Sequence, residues 1–224
     1  MNFPHTLFDS ETLVITGAIS GLCLVEAIRR TPWRKLDPLA INAWMGTCVV
    51  LMGLWSLRGT FKPGLDFHLL GSVAFTLLAG PWLALIGMAI VLIGLALAGF
   101  NEWQSFGVHF LVLAGLPVMI TAWSLHWAQH RLPTHYFVYI FVNAFMTAGA
   151  AFFVTGFATV STLAMTGLYP LDELFGDALA FYFLLSWSEA FTTGLMMAVF
   201  VVYKPHWVAT FDDRRYLYQD GQSR

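Results

Sequence analysis

Residues 67–101 read FHLLGSVAFTLLAGPWLALIGMAIVLIGLALAGFN. From Phe67 to Asn101 there is no Asp, Glu, Lys or Arg, a histidine stands near the start at His68, and Gly80-Pro81 interrupts the run. A membrane-crossing helix takes about 20 residues to span roughly 30 Å of hydrocarbon, so this stretch is too long for one tidy span. It is also too uniformly apolar for a soluble domain. Gly followed by Pro removes a backbone donor and disfavours continued helix. Two helices packed around something polar are therefore expected, with His68 at the mouth.

The rest of the chain agrees. Of the 224 residues, 58% are hydrophobic and 11% charged, against roughly 25% charged in a soluble domain. Two more uncharged runs follow, Trp103 to His130 and Leu132 to Leu171. Runs such as Leu83 to Ile93 are apolar on every face, which excludes the alternating strands of a membrane β-barrel. The expected fold class is therefore all-α, a polytopic membrane helical bundle embedded in the lipid bilayer. The net charge of −2 offers no basic footprint, so nucleic acid is not an expected partner. Cys23 and Cys48 fall inside spans without a metal-binding spacing and read as small apolar side chains. The first ten residues hold Asp9 and no Lys or Arg, unlike a cleavable signal peptide.

Hydrophobic segments fall at about 11–28, 40–57, 67–79, 82–100, 108–127, 135–163 and 178–203. The count is seven if Gly80-Pro81 separates two helices, and six if it kinks one. Cytoplasmic loops collect Lys and Arg. Arg29, Arg30, Arg34 and Lys35 place the first loop inside and the N-terminus outside. With seven segments the Arg131 loop and the tail bearing Lys204, Arg214 and Arg215 also fall inside, while 101–107 and 167–177, acidic and without a basic residue, fall outside. Seven is the better count, with Arg58 and Lys62 the exceptions. The expected organisation is one transmembrane domain, 1–205, and a short cytoplasmic tail, 206–224, in a bacterial-type inner (plasma) membrane. Gly17 with Gly21, and Gly149 with Gly156, supply small faces for close helix packing.

Seven histidines stand out in so apolar a chain. His5, His68 and His109 fall at the external end of the expected bundle, His126, His130 and His135 at the cytoplasmic end, and His206 in the tail. Neutral imidazole suits nickel, copper, zinc and iron, which makes His68 the first candidate ligand and His109 a second. His126 and His130 share a helix face as paired zinc ligands do, yet stand among Trp123, Trp127 and Arg131, the composition of an interfacial belt. Glu189 is a buried acid near mid-span. A charge there costs about 2.5–3.5 kcal/mol on the insertion scale, while each neighbouring Leu, Phe or Val returns about 0.3–0.6 kcal/mol. The span inserts with its acid, and such acids are functional candidates, although a structural polar knot with Ser186, Ser188, Thr192 and Thr193 is the competing reading. Glu26 is placed to pair with Arg29 and Arg30. No nucleophile elbow, nucleotide-binding loop or zincin motif is present. The chain is not expected to be an enzyme, and uphill transport would need a partner ATPase or an ion gradient.

Two motifs then carry a resemblance. Phe67-His68-Leu69-Leu70-Gly71 followed by Leu78-Ala79-Gly80-Pro81-Trp82, and Ser188-Glu189-Ala190 with Gly194 and Lys204-Pro205, resemble the CbiM/NikM-type membrane components of cobalt and nickel energy-coupling-factor transporters. The resemblance implies a substrate-binding subunit that captures a divalent metal, Ni or Co, outside, with a transmembrane coupling subunit and ATPase subunits as partners. It implies ligands from the N-terminal amine, a histidine at position two and the loop histidine. Met1 and His68 match, whereas Asn2 replaces the histidine and is a weaker ligand. Pro4 lacks a backbone N–H, and His5 could substitute, giving a set of His5, His68 and His109. Two other readings compete: a non-transporting membrane accessory or assembly protein of the same fold, and a haem protein ligated by His68 and His109. No resident cofactor is expected.

Overall fold

The structure is a computed structural model, described here for residues 3–62 and 64–212. Its helices are α1 (Ser10–Arg30), α2 (Pro38–Ser56), α3 (Ser72–Ala79), α4 (Pro81–Leu97), α5 (Phe106–Arg131), α6 (Tyr136–Met165) and α7 (Glu173–Tyr203). Five of them, α1, α2, α5, α6 and α7, are long and apolar enough to cross a membrane, and α4 is a shorter apolar helix. The chain is thus an all-α membrane bundle of multi-pass type, with one small departure. Gly59–Lys62 (β1) and Leu65–Phe67 (β2) form a two-stranded antiparallel hairpin, in which Gly59 faces Phe67 and Thr60 faces Asp66.

That hairpin corrects the expected segment 67–79. Phe67 ends a strand, residues 68–71 are irregular, and helix begins only at Ser72. The reason is local. Gly71 adopts a left-handed conformation, φ +64°, and a Cβ there would stand 2.7 Å from Leu51 Cδ2, so only glycine fits and the chain turns before the helix starts. At the other end Gly80 takes φ +79°, and α4 opens on Pro81, whose fixed φ suits a first helical turn. The Gly80-Pro81 pair ends one helix and begins the next.

The eight-residue α3 is the centre of the bundle. Ser72 through Leu78 are all buried, and α2, α4, α5, α6 and α7 pack around it. Non-spanning backbone is tolerated at membrane depth only when protein surrounds it, and that is the case here. Close packing elsewhere depends on small residues. A Cβ at Gly107 would stand 2.4 Å from the Gly17 backbone nitrogen, and one at Gly156 would stand 2.5 Å from Tyr182 Cγ. Gly156 was among the expected packing glycines, whereas a Cβ at Gly17 or Gly21 would meet nothing within 4 Å, and the close approach to α1 is made by Gly107. Charges at the loops are paired: Arg30 Nε to Glu26 Oε1 at 2.5 Å, Arg58 to Asp66 at 3.6 Å, and Lys62 to Glu173. The two basic residues that contradict the charge rule therefore sit against acids.

The segment after α7 completes α3. In a continuing helix the Leu77 carbonyl would accept from residue 81, but Pro81 has no N–H. Thr210 takes that place: its N–H and Oγ1 donate to the Leu77 oxygen at 3.3 and 2.8 Å, and the Ala209 N–H donates to the Leu78 oxygen at 2.9 Å. Tyr139 Oη holds Thr210 Oγ1 at 2.7 Å, and Phe211 is buried against the Tyr139 ring. The expected tail from residue 206 is docked on the bundle at least to Phe211; Arg214 and Arg215 lie outside the described residues. Truncation after Val208 leaves the Leu77 and Leu78 carbonyls without these donors, and should cost about 1–3 kcal/mol per buried acceptor. Thermal unfolding in detergent checks this, and a truncated protein as stable as the full chain would refute the role given to Thr210.

Candidate functional site

The loop between β2 and α3 is gripped from two other spans. Glu189, 2% exposed in α7, accepts the Leu70 N–H at 2.9 Å through Oε2 and the Gly71 N–H at 2.7 Å through Oε1. Trp55 in α2 donates its indole N–H to the Leu70 carbonyl at 2.9 Å. The peptide groups around Leu70 are therefore fixed by two other spans. The mid-span acid bonds these two loop amides rather than the Ser186, Ser188, Thr192 and Thr193 hydroxyls of the expected knot, and the loop it ties carries His68. Beyond Glu189 a cavity of about 760 Å³ opens between α2 and α7, floored by Gly71, Ala74 and Leu78.

His68 is buried, its ring 5.3 Å from the Trp55 ring. Its Nδ1 lies 3.0 Å from the Leu69 carbonyl oxygen. A carbonyl only accepts, so Nδ1 holds the proton and Nε2 holds the lone pair. This is how a second partner orients an imidazole for metal ligation.

The other two histidines of the expected set, His5 and His109, serve the N-terminal segment. Phe3 is fully buried, in the same apolar cluster as Trp55 and Leu70. Its N–H donates to His109 Nε2 at 2.9 Å, and its ring lies 5.5 Å from the His109 ring. His109 Nδ1 in turn donates to the Ser105 carbonyl at 2.9 Å. With one nitrogen donating and the other accepting, His109 has no lone pair to give a metal or a haem iron, which corrects its place in the candidate set. His5, half exposed, meets Glu102 through its N–H at 2.6 Å and its Nδ1 at 2.8 Å. The backbone N–H of His5, then its ring, holds the Glu102 carboxyl below the usual carboxylate range. His5 is thus a surface clasp, and His5, His68 and His109 do not gather around one point. Among the described residues no group of three or more His, Cys, Asp and Glu is placed to hold a metal ion. Met1 and Asn2, the other expected ligands, lie outside the described residues.

Sequence reasoning missed the clasp and the loop holders. Glu102 entered only as part of the acidic stretch 101–107, and Trp55 was not singled out. Their roles come from partners far away in the chain. If Glu189 holds the loop, Glu189→Ala leaves the Leu70 and Gly71 amides without acceptors, and should cost about 1–3 kcal/mol for each. Glu189→Gln, with one accepting oxygen, should fall between. Unfolding midpoints in detergent give the order, and an Ala variant equal to wild type contradicts the assignment.

Comparison with known proteins agrees with this architecture. The sequence profile described as "Cobalt uptake substrate-specific transmembrane region" matches residues 2–207. No curated protein matches the chain in sequence. A crystal structure of a truncated transition metal transporter superposes with a TM-score of 0.77 at 16% identity, covering 90% of this chain and 98% of that one. A second, of a transition metal transporter, gives 0.76 at 17% identity over 89% and 92%. At such identities the two structures establish a shared fold, while the profile spans nearly the whole chain: this protein belongs to the CbiM family of cobalt-uptake transmembrane components.

Proposed function

We propose that this chain is the substrate-capturing membrane subunit of an energy-coupling-factor-type importer for a divalent transition metal, nickel or cobalt. The observation that carries the reading is His68: a buried imidazole, fixed through Nδ1 on a loop held by two spans, with Nε2 as the donor atom. The N-terminal segment supports it, because Phe3 is buried in the cluster that backs the His68 loop. Met1 and Asn2 are then the remaining ligands, the amine supplying a second nitrogen. Asn2 in place of histidine makes the site weaker than a two-imidazole site. The proposed topology counts α3 as a broken third segment, seven in all, with the N-terminus outside and the C-terminus inside. The pairing of Arg58 with Asp66 and of Lys62 with Glu173 favours it by accounting for the two misplaced cations. The proposed organisation is a transmembrane domain, 1–205, and a cytoplasmic tail, 206–224, in a bacterial-type inner membrane. A coupling subunit and ATPases, absent from this chain, would drive inward release of the ion, and the chain itself acts as a carrier rather than an enzyme.

A second reading, a non-transporting assembly protein of the same fold, draws on one observation: His5 and His109 are committed to the N-terminal segment. The two readings separate on metal binding. Untagged protein should bind Ni(II) or Co(II) at one tight site, weakened at least about tenfold, the scale of losses at metal sites, by His68→Ala. An N-terminal extension that blocks the Met1 amine should weaken it too. Unchanged affinity in His68→Ala removes the ligand assignment, and no tight site in wild type favours the assembly protein.

A further inference from the structure

His126 and His130 stand near the end of α5 remote from His109, about 25 Å along the helix at 1.5 Å per residue. Both are exposed. Their rings face one another, with centroids 4.2 Å apart and planes at 41°. His130 Nδ1 lies 2.7 Å from the His126 carbonyl oxygen, so Nδ1 carries the proton and Nε2 the lone pair. An imidazole that donates one N–H to a backbone carbonyl and turns its other nitrogen outward has the orientation of a metal-bound histidine. The i,i+4 spacing brings the His126 ring to the same helix face as this oriented His130 ring. The exposed indoles of Trp123 and Trp127 mark this turn as a membrane boundary, which keeps both rings within reach of water.

We propose that His126 and His130 form a second, weaker site for a borderline divalent ion, Ni(II), Cu(II) or Zn(II), at the end of α5 remote from His109. Neutral imidazole selects these ions over Mg(II) and Ca(II). Among the described residues no third His, Cys, Asp or Glu joins the pair, so water fills the remaining coordination positions. Such a site binds weakly and exchanges quickly. In the topology proposed above this end is cytoplasmic, where a released ion leaves; the side rests on that proposal, and the binding does not.

Cu(II) is the probe, added to untagged full-length protein in detergent. Electron paramagnetic resonance of the weaker class of bound Cu(II) should show two equatorial nitrogens. His126→Gln and His130→Gln should each weaken that class at least about tenfold, with no change in unfolding midpoint, whereas His135→Gln should leave it intact. His68→Ala should also leave it intact, so failure of the His68 assignment is read separately. Equal Cu(II) stoichiometry and affinity in wild type and in the double His126→Gln/His130→Gln variant overturns the proposal.

Discussion

The two hydrogen bonds from the Leu70 and Gly71 amides to the Glu189 carboxylate determine the shape of this bundle. A chain that stops being helical inside a membrane exposes backbone donors and acceptors to hydrocarbon, where each unsatisfied group costs several kcal/mol. Glu189 meets the donors, Trp55 meets the Leu70 carbonyl, and the His68 ring meets the Leu69 carbonyl. The Gly71 carbonyl accepts from Phe75 as α3 begins. The buried acid and the break in the span are therefore one feature: each would be expensive without the other.

The lower end of α3 follows the same accounting. Gly80-Pro81 ends the helix and withholds a donor from the Leu77 carbonyl, and the segment beyond α7 returns to supply one. A helix of eight residues is too short to be stable by itself, and it persists because side chains or backbone from α2, α7 and the C-terminal segment close both its ends. Its position fixes the His68 loop, so the geometry of the candidate ligand depends on hydrogen bonds that join residues up to 133 positions apart.

This distance dependence separates what the sequence reveals from what it hides. The spans were legible because a membrane helix needs an uninterrupted apolar run, and that is a local property. The break at Gly80-Pro81, the pair Glu26–Arg30 and the packing glycine Gly156 were legible for the same reason. The start of α3 was not, because Phe67 to Gly71 is as apolar as the helix that follows; only the pairing of Leu65–Phe67 with Gly59–Lys62 and the grip of Glu189 stop helix there. His109 was misread as a ligand candidate. Its sequence neighbourhood carries no trace of Phe3, and the ring's occupation by Phe3 and Ser105 appears only in three dimensions.

The same contrast explains why His68 survives as the candidate while its two companions do not. His5, His68 and His109 were expected at one end of the bundle, and three imidazoles in reach of one another would suit a transition metal. Ligation, however, requires a lone pair, and hydrogen bonding spends it. His109 commits Nε2 to the Phe3 N–H and Nδ1 to the Ser105 carbonyl, whereas the His5 ring is bonded through Nδ1 alone and is set apart by its place at the surface against Glu102. His68 uses only the nitrogen that orients it, and it directs that bond to its own neighbour's carbonyl rather than to the N-terminal segment. The segment from Phe3 to His5 is thus held by His109 and by the contact of His5 with Glu102, and Phe3 packs in the same apolar cluster as Leu70. His109 anchors the incoming N-terminal segment, and His68, bonded through Nδ1 to its neighbour's carbonyl, is the imidazole proposed above to offer a donor atom.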